Sequence, residues 1–249
     1  MPIVRPQFAN GEFYHIVARG VESRVIFSDI SDYYRAIFSL YEFNDEKRVL
    51  IKDRRKFRNL NKVPGGLTAD EKDLIQRVSG GAKPRKLLVK ILAFCLMPNH
   101  LHLLLEQIKD DGISLFMRKF GAGYAGYFNR KYDRVGHLFQ GRFRAVYVGN
   151  DEQLKNLFVY IHTNPAALVA PGWKEGKVEN TEEVIKFLET YKWSSYQDYI
   201  GKQNFPSLTD REFLGNLFGS QSACKDFVNG WVKYKEGGDI EYLEGLTLE

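Results

Sequence analysis

The stretch KLLVKILAFCLMPNHLHLLLEQ (86–107) decides the fold. Residues 86–97 form an apolar, β-prone run, Pro98-Asn99 turns the chain, and 100–106 returns as a second apolar run. Two short apolar runs joined by two turn residues predict a β-hairpin with both strands buried. The second strand opens with His100-Leu101-His102. A strand has a side-chain period of two, so both imidazoles leave one face while Leu101 points to the core. Two neutral imidazoles fixed side by side on a rigid strand are a ready pair of metal ligands. A bare pair of this kind is more often two surface or satisfied histidines. Here the turn before it and the apolar strand after it place the pair at the mouth of a buried sheet.

Working outward, GEFYHIVARG (11–20) alternates apolar and polar residues and predicts a strand. SDYYRAIFSLYEFNDEKR (31–48) has helical periodicity, with Ser31 or Asp32 as its N-cap. A polar, basic stretch (49–85) follows and reads as an insertion; Thr68 and Glu71 form a capping-box pattern for a short helix inside it. Downstream, 114–132 predicts a helix weakened by its glycines, and 142–148 a strand. Next comes a helix capped by Asp151 and stopped by Pro165. On that helix Tyr160 and Asn164 stand four residues apart and share a face, as a nucleophile and a third metal ligand would. A tyrosine on a helix is more often core. Residues 166–249 carry further helical segments and form a C-terminal extension to the 1–165 domain.

No apolar run approaches the roughly 18 residues of a membrane span. The start, MPIVRPQFANGEF, lacks the apolar centre of a signal peptide, and Cys95 and Cys224 make neither a disulfide framework nor a cysteine metal site. A cytoplasmic address is expected. The net charge of +5 suits a phosphate-rich partner, though many basic proteins bind no nucleic acid. Its distribution says more. Residues 47–62 hold eight Lys and Arg against one acid, Asp53, with Arg54 and Arg55 at the centre. RKFGAGYAGYFNRKYDRVGHLFQGRFR (118–144) interleaves Arg118, Lys119, Arg130, Arg142 and Arg144 with Tyr and Phe. Stacking on bases and neutralising phosphates both need that mixture. A solvated helix face over core aromatics is the plainer reading.

MPNHLHLLLE, followed about 60 residues later by YIHTNP, resembles the single-tyrosine transposases of the HUH endonuclease superfamily. The likeness is in particular to the REP-associated tyrosine transposases. FYHIVARGVESRVIF (13–27), GHLFQGRFRAVYV (136–148) and KWSSYQDYIG (192–201) agree in order, so the resemblance runs from about 13 to 201 without the insertion. It implies an α+β fold: a ferredoxin-like antiparallel sheet with helices on one face. It also implies a catalytic Tyr160, with Asn164 completing a divalent metal site (Mg2+ or Mn2+) begun by His100 and His102. Tyr124, Tyr127 and Tyr147 compete for the nucleophile's role, but only Tyr160 opens the YIxxNP pattern.

The activity so implied is transposition: nicking and rejoining single-stranded DNA at hairpin-containing ends through a 5′-phosphotyrosine. Arg142 and Arg144, alternating on one strand face, are expected to position phosphates, and His15 to serve the core or contact DNA. The insertion is expected to clamp the duplex of a hairpin. Glu106 is a rival third ligand, but about 13 Å of strand separates it from His102. Two other readings stand beside this one: a domesticated DNA-hairpin-binding protein, and a metal-dependent phosphodiesterase in which water attacks. A monomer, with the C-terminal extension holding the tyrosine in cis, is expected over a homodimer.

Overall fold

The structure, a computed structural model, describes residues 6–48, 85–173 and 175–235. The predicted hairpin is present as β2 (Val89–Met97) and β3 (His100–Gln107), turning at Pro98-Asn99. The predicted first strand is β1 (Phe13–Arg19), and β4 (Arg144–Val148) completes a four-stranded sheet in the order β2-β3-β1-β4. All three pairings are antiparallel. Helix α1 (Ile30–Phe43) links β1 to β2, and α2 (Gly112–Lys131) links β3 to β4. That order of elements and strands is the ferredoxin-like α+β arrangement.

Period-two alternation then sorts the side chains. Tyr14, Ile16 and Ala18 of β1 and Leu101, Leu103 and Leu105 of β3 face one side, where they pack with Ala36, Ile37 and Leu40 of α1 and Phe116, Phe120 and Tyr124 of α2. The other side is covered as well. There Leu92, Cys95 and Leu104 meet Leu154, Leu157, Phe158 and Ile161 of α3 (Asp151–Thr163). Outside α3 lie α4 (Thr181–Thr190), the short α5 (Tyr196–Tyr199), α6 (Glu212–Phe218) and α7 (Gln221–Lys235), through Val184, Leu188, Tyr196, Leu214 and Val228. Helices on one face therefore holds for α1 and α2 alone; the C-terminal helices close the second face. Burying both faces explains why β2 and β3 read as unbroken apolar runs.

Local chemistry moved several ends from where the sequence put them. Asp29, not Ser31 or Asp32, caps α1: its carboxylate accepts from the backbone N–H of Ser31 (2.8 Å) and Asp32 (3.1 Å). Asp32 wins the third helical position because its own carboxylate accepts the Asp29 N–H, completing a capping box. The helix ends at Phe43, short of 48, and the Asn44 amide turns to bond the backbone of Leu88 and Val89. Asn150, rather than Asp151, caps α3 through the Gln153 N–H. Pro165 does not stop the chain dead; it sits in a 3-10 turn, Asn164–Leu168, that prolongs α3. Gly123 of α2 has a packing reason: a Cβ there would run into the Phe43 ring, so α1 and α2 approach there only over a glycine.

Buried charge ties α1 to α2. Asp32 is inaccessible to solvent and accepts from Lys131 (2.7 Å), Tyr132 (2.7 Å) and Tyr127 (3.0 Å). No helix among the described residues is long and apolar enough to cross a membrane. The short helix expected around Thr68 and Glu71 lies outside the described residues.

Candidate active site

β3 carries His100 and His102 on the face that α3 covers, and both are buried, at 6% and 0% exposure. Their rings stand 4.8 Å apart between centroids and nearly perpendicular. β1 brings a third imidazole: His15 Nε2 lies 2.9 Å from His102 Nδ1 with no solvent between them. From above, α3 presents Tyr160, whose half-buried ring meets His102 edge-on at 5.4 Å and His15 at 5.8 Å. One turn on, the Asn164 amide reaches His102 Nε2 at 3.3 Å. The predicted quartet His100, His102, Tyr160 and Asn164 is thus brought together from a strand and a helix about 60 residues apart.

The hydrogen bonds around the two ligand candidates set which nitrogen each offers. Asn99 donates its amide N–H to the Ser23 carbonyl (3.3 Å), which turns its Oδ1 to His100 Nδ1 at 2.6 Å. An amide oxygen only accepts, so His100 carries its proton on Nδ1 and keeps the Nε2 lone pair. His102 Nδ1 faces His15, leaving its Nε2 toward Asn164. Two ligand atoms each about 2.1 Å from one cation, at angles of 90–109°, sit roughly 3.0–3.4 Å apart. His102 Nε2 and the Asn164 amide fit that separation, and an amide offers either end by a half-turn of its terminal torsion. Among the described residues no three His, Cys, Asp or Glu gather to hold a metal. The donors the site does present are two imidazoles and an amide.

The rival tyrosines are engaged elsewhere. Tyr124 is buried on the opposite face, donating to the Ile26 carbonyl at 2.6 Å, and burial pushes its phenol well above the usual range. Tyr127 donates to Asp32, and Tyr147 to Glu12 (2.8 Å), which raises the Tyr147 phenol. Glu106 pairs with Lys90 at 3.0 Å at the far end of β3.

The expected DNA contacts divide. His15 offers DNA nothing, being fully buried against His102. Lys119 is also withdrawn: its ammonium donates to the carbonyls of Asp45 and Lys47, holding the chain after α1, and burial lowers its pKa. Arg118 and Arg130 are exposed on α2. Arg142 and Arg144 do not share a strand face. β4 begins only at Arg144, and Arg142 lies before it in the irregular segment that follows Gly141, whose φ is 63°. Arg144 pairs with Val17, and Val17 with His102, so Arg144 stands in the row of the histidines. Arg142 lines a cavity behind the sheet. Arg54 and Arg55 lie outside the described residues.

Asn99 and Arg19 escaped sequence reading, and His15 was expected only in the core or on DNA. Asn99 looked like a turn residue only. His15 and Arg19 sit at even spacing on β1, but their side is set by register: Val17 opposes His102 and Arg19 opposes His100. No local pattern carries a pairing across 80 residues. Beneath α3, His162 is buried between Phe158, Tyr196 and Tyr199, and its Nε2 lies 2.7 Å from Ser195 Oγ. Ser195 in turn accepts the Phe94 N–H of β2, so this contact fastens the tyrosine helix to the sheet. Burial presses the His162 pKa down to about 3.

The fold and site together define a ferredoxin-like α+β protein with a His-hydrophobic-His strand under a tyrosine-bearing helix. Residues 70–164, which span both, match the family of IS200-like transposases. A solved structure of a REP-associated tyrosine transposase bound to a REP hairpin is similar at 14% identity, covering 85% of this chain and 96% of that one, with a TM-score of 0.45. The crystal structure of tRNA(His) guanylyltransferase from Saccharomyces cerevisiae is similar at 12% identity, over 97% and 86% of the two chains, with a TM-score of 0.29. Nothing about the ligand or activity of this chain follows from either likeness. No curated protein matches the sequence.

Proposed function

We propose that this chain nicks and rejoins single-stranded DNA at hairpin-containing ends, through a covalent 5′-phosphotyrosine on Tyr160. His100, His102 and Asn164 would hold a divalent ion, Mg2+ or Mn2+. The observation that carries the reading is the convergence of Tyr160 and Asn164 with the histidine pair, 3.3 Å between Asn164 and His102 at its tightest. When bound, the ion polarises the phosphoryl group and offsets the charge that develops on its oxygens. Mn2+ suits two imidazoles better than Mg2+ does.

The chain's own residues do the rest. Tyr160 Oη forms a bond to phosphorus as the bond from phosphorus to the 3′ oxygen breaks, and the phenol's proton ends on the departing 3′-OH. The ester count is unchanged, so another 3′-OH reverses the step without ATP. His15 is a positioning residue in this scheme. By accepting the His102 Nδ1–H it keeps the His102 Nε2 lone pair aimed at the site. Arg144 and Arg19, on the histidines' face of the sheet, supply positive charge for the strand's phosphates. Packing of α3 against its own sheet supports a tyrosine acting in cis, and hence a monomer.

The test is incubation with labelled single-stranded oligonucleotides carrying a hairpin, with Mn2+, followed by a denaturing gel. A protein–DNA adduct is expected. Cleavage without adduct would point to attack by water, and retention without cleavage to a binding protein.

A further inference from the structure

Behind the sheet from the histidines lies a cavity of about 560 Å3 that this reaction scheme leaves unused. α2 forms one wall with Arg118, Gly121, Ala122 and Ala125, and the segment before β4 forms the other with His137, Phe139, Arg142 and Phe143. Ala18 of β1 is its floor. The volume falls in the range of small-ligand sites, roughly 300–1,000 Å3, enough for one nucleotide. Its chemistry is one-sided: two arginines, a histidine and three phenylalanines, with no acidic residue in the lining. Arg118 and Arg142 are exposed, and neither makes an ion pair among the described residues. Partly buried Phe139 and Phe143 are anchored on the core from beneath.

The α2 wall is unusually low. A Cβ on Gly121 would meet nothing within 4 Å, so backbone itself borders the space. A bare helix backbone beside aromatic rings and free guanidinium groups suits a flat, charged ligand. The cavity's place in the fold names that ligand. The segment forming it is stitched to the end of β1, where Gln140 N–H donates to the Arg19 carbonyl and Val21 N–H to the Leu138 carbonyl. Arg19 opposes His100 across the sheet. The cavity and the histidines thus occupy the same end of the sheet on opposite faces, with Arg142 on one side and Arg144 on the other.

We infer that this cavity holds one unpaired deoxynucleotide of the strand that Tyr160 cleaves, its base against Phe139 and Phe143 and its flanking phosphates on Arg118 and Arg142. The inference rests on the single-strand DNA reading above. It adds a second hold on the strand, remote from the scissile bond, and a place where base identity can be sensed.

Gly121→Leu tests it, because the new side chain enters the cavity and removes a glycine from a helix interior. The probe is a fluorescein-labelled, single-stranded DNA pool of random sequence, with an RNA pool of equal length as competitor. Base stacking against protein aromatics contributes about 1–3 kcal/mol, so roughly tenfold weaker binding is expected for Gly121→Leu. Adduct formation on Tyr160 at saturating strand should persist. Arg142→Gln should flatten the salt dependence by about 0.7 in log–log slope. Affinity within twofold of wild type for Gly121→Leu, an unchanged slope for Arg142→Gln, or stronger competition by RNA than by DNA overturns the nucleotide site while leaving the active-site reading intact. If the wild type fails to bind the pool at all, both readings fall.

Discussion

His15 and His102 share a single hydrogen bond, 2.9 Å long and wholly buried, between neighbouring strands of the sheet. One of the two nitrogens must donate. The neighbouring Asn164 contact to His102 Nε2 is consistent with the proton lying on His102 Nδ1. His15→Leu should therefore free the His102 tautomer and weaken Mn2+ binding by about 10–100-fold, the usual effect of losing such a partner. His15→Gln, whose amide oxygen reaches the same point, should restore most of it. Calorimetry with Mn2+ alone reads the affinity, and nitrogen NMR of the metal-free protein reads the tautomer. A His102 tautomer unchanged in His15→Leu would remove His15 from this role.

Tyr160→Phe deletes one hydroxyl and almost no contact area. The covalent adduct should vanish while single-strand affinity stays within about threefold, less than 1 kcal/mol. An adduct that persists would move the nucleophile elsewhere, and Tyr147, exposed on β4, would be mapped next.

Acid sensitivity should trace to His162. Burial keeps the folded-state imidazole neutral down to about 3, whereas an unfolded chain takes the proton near 6.5. Above that value neither state is charged and stability does not depend on this group. Below it only the unfolded chain binds the proton, so stability falls as pH falls, by up to about 1.4 kcal/mol per unit, until the folded pKa is reached. Urea titrations at neutral pH and at mildly acidic pH should differ for the wild type and differ less for His162→Gln. Equal slopes for both proteins would assign the acid loss to other groups.

Asp32 anchors the α1–α2 side. Asp32→Ala strands the Lys131 ammonium and two tyrosine hydroxyls around an apolar gap, and should cost about 3 kcal/mol. The shift of the denaturation midpoint measures this. Metal affinity, which depends on the other face, should hardly change.

How much of this was legible beforehand depended on the range over which each signal acts. The β2–β3 hairpin was legible because an apolar run, a two-residue turn and a second run are all local. Tyr160 and Asn164 were legible as a pair because helical spacing is local too. The caps at Asp29 and Asn150 slipped by one to three residues, since neighbouring Asp, Asn and Ser all compete to cap and tertiary fit picks one. Arg142 and Arg144 were read onto one face because an alternating pattern does not show that the strand starts only at Arg144. Lys119 looked like a DNA contact because nothing nearby in sequence shows that carbonyls 72 and 74 residues earlier claim it. His15 is the extreme case, since its partner is fixed only by strand register.

The segment from Trp193 to Ser195 runs backbone to backbone along the outer side of β2, with Leu96 N–H donating to Trp193 and Ser195 N–H to Phe94. It seals what would otherwise be an unpaired strand rim inviting another chain to add on. A premature stop anywhere between 166 and 192 would remove that seal together with the apolar roof over α3. The product would be a sticky, self-associating fragment. Trimming a gene of this kind from its 3′ end back past the codon for Trp193 should therefore cost the fold itself.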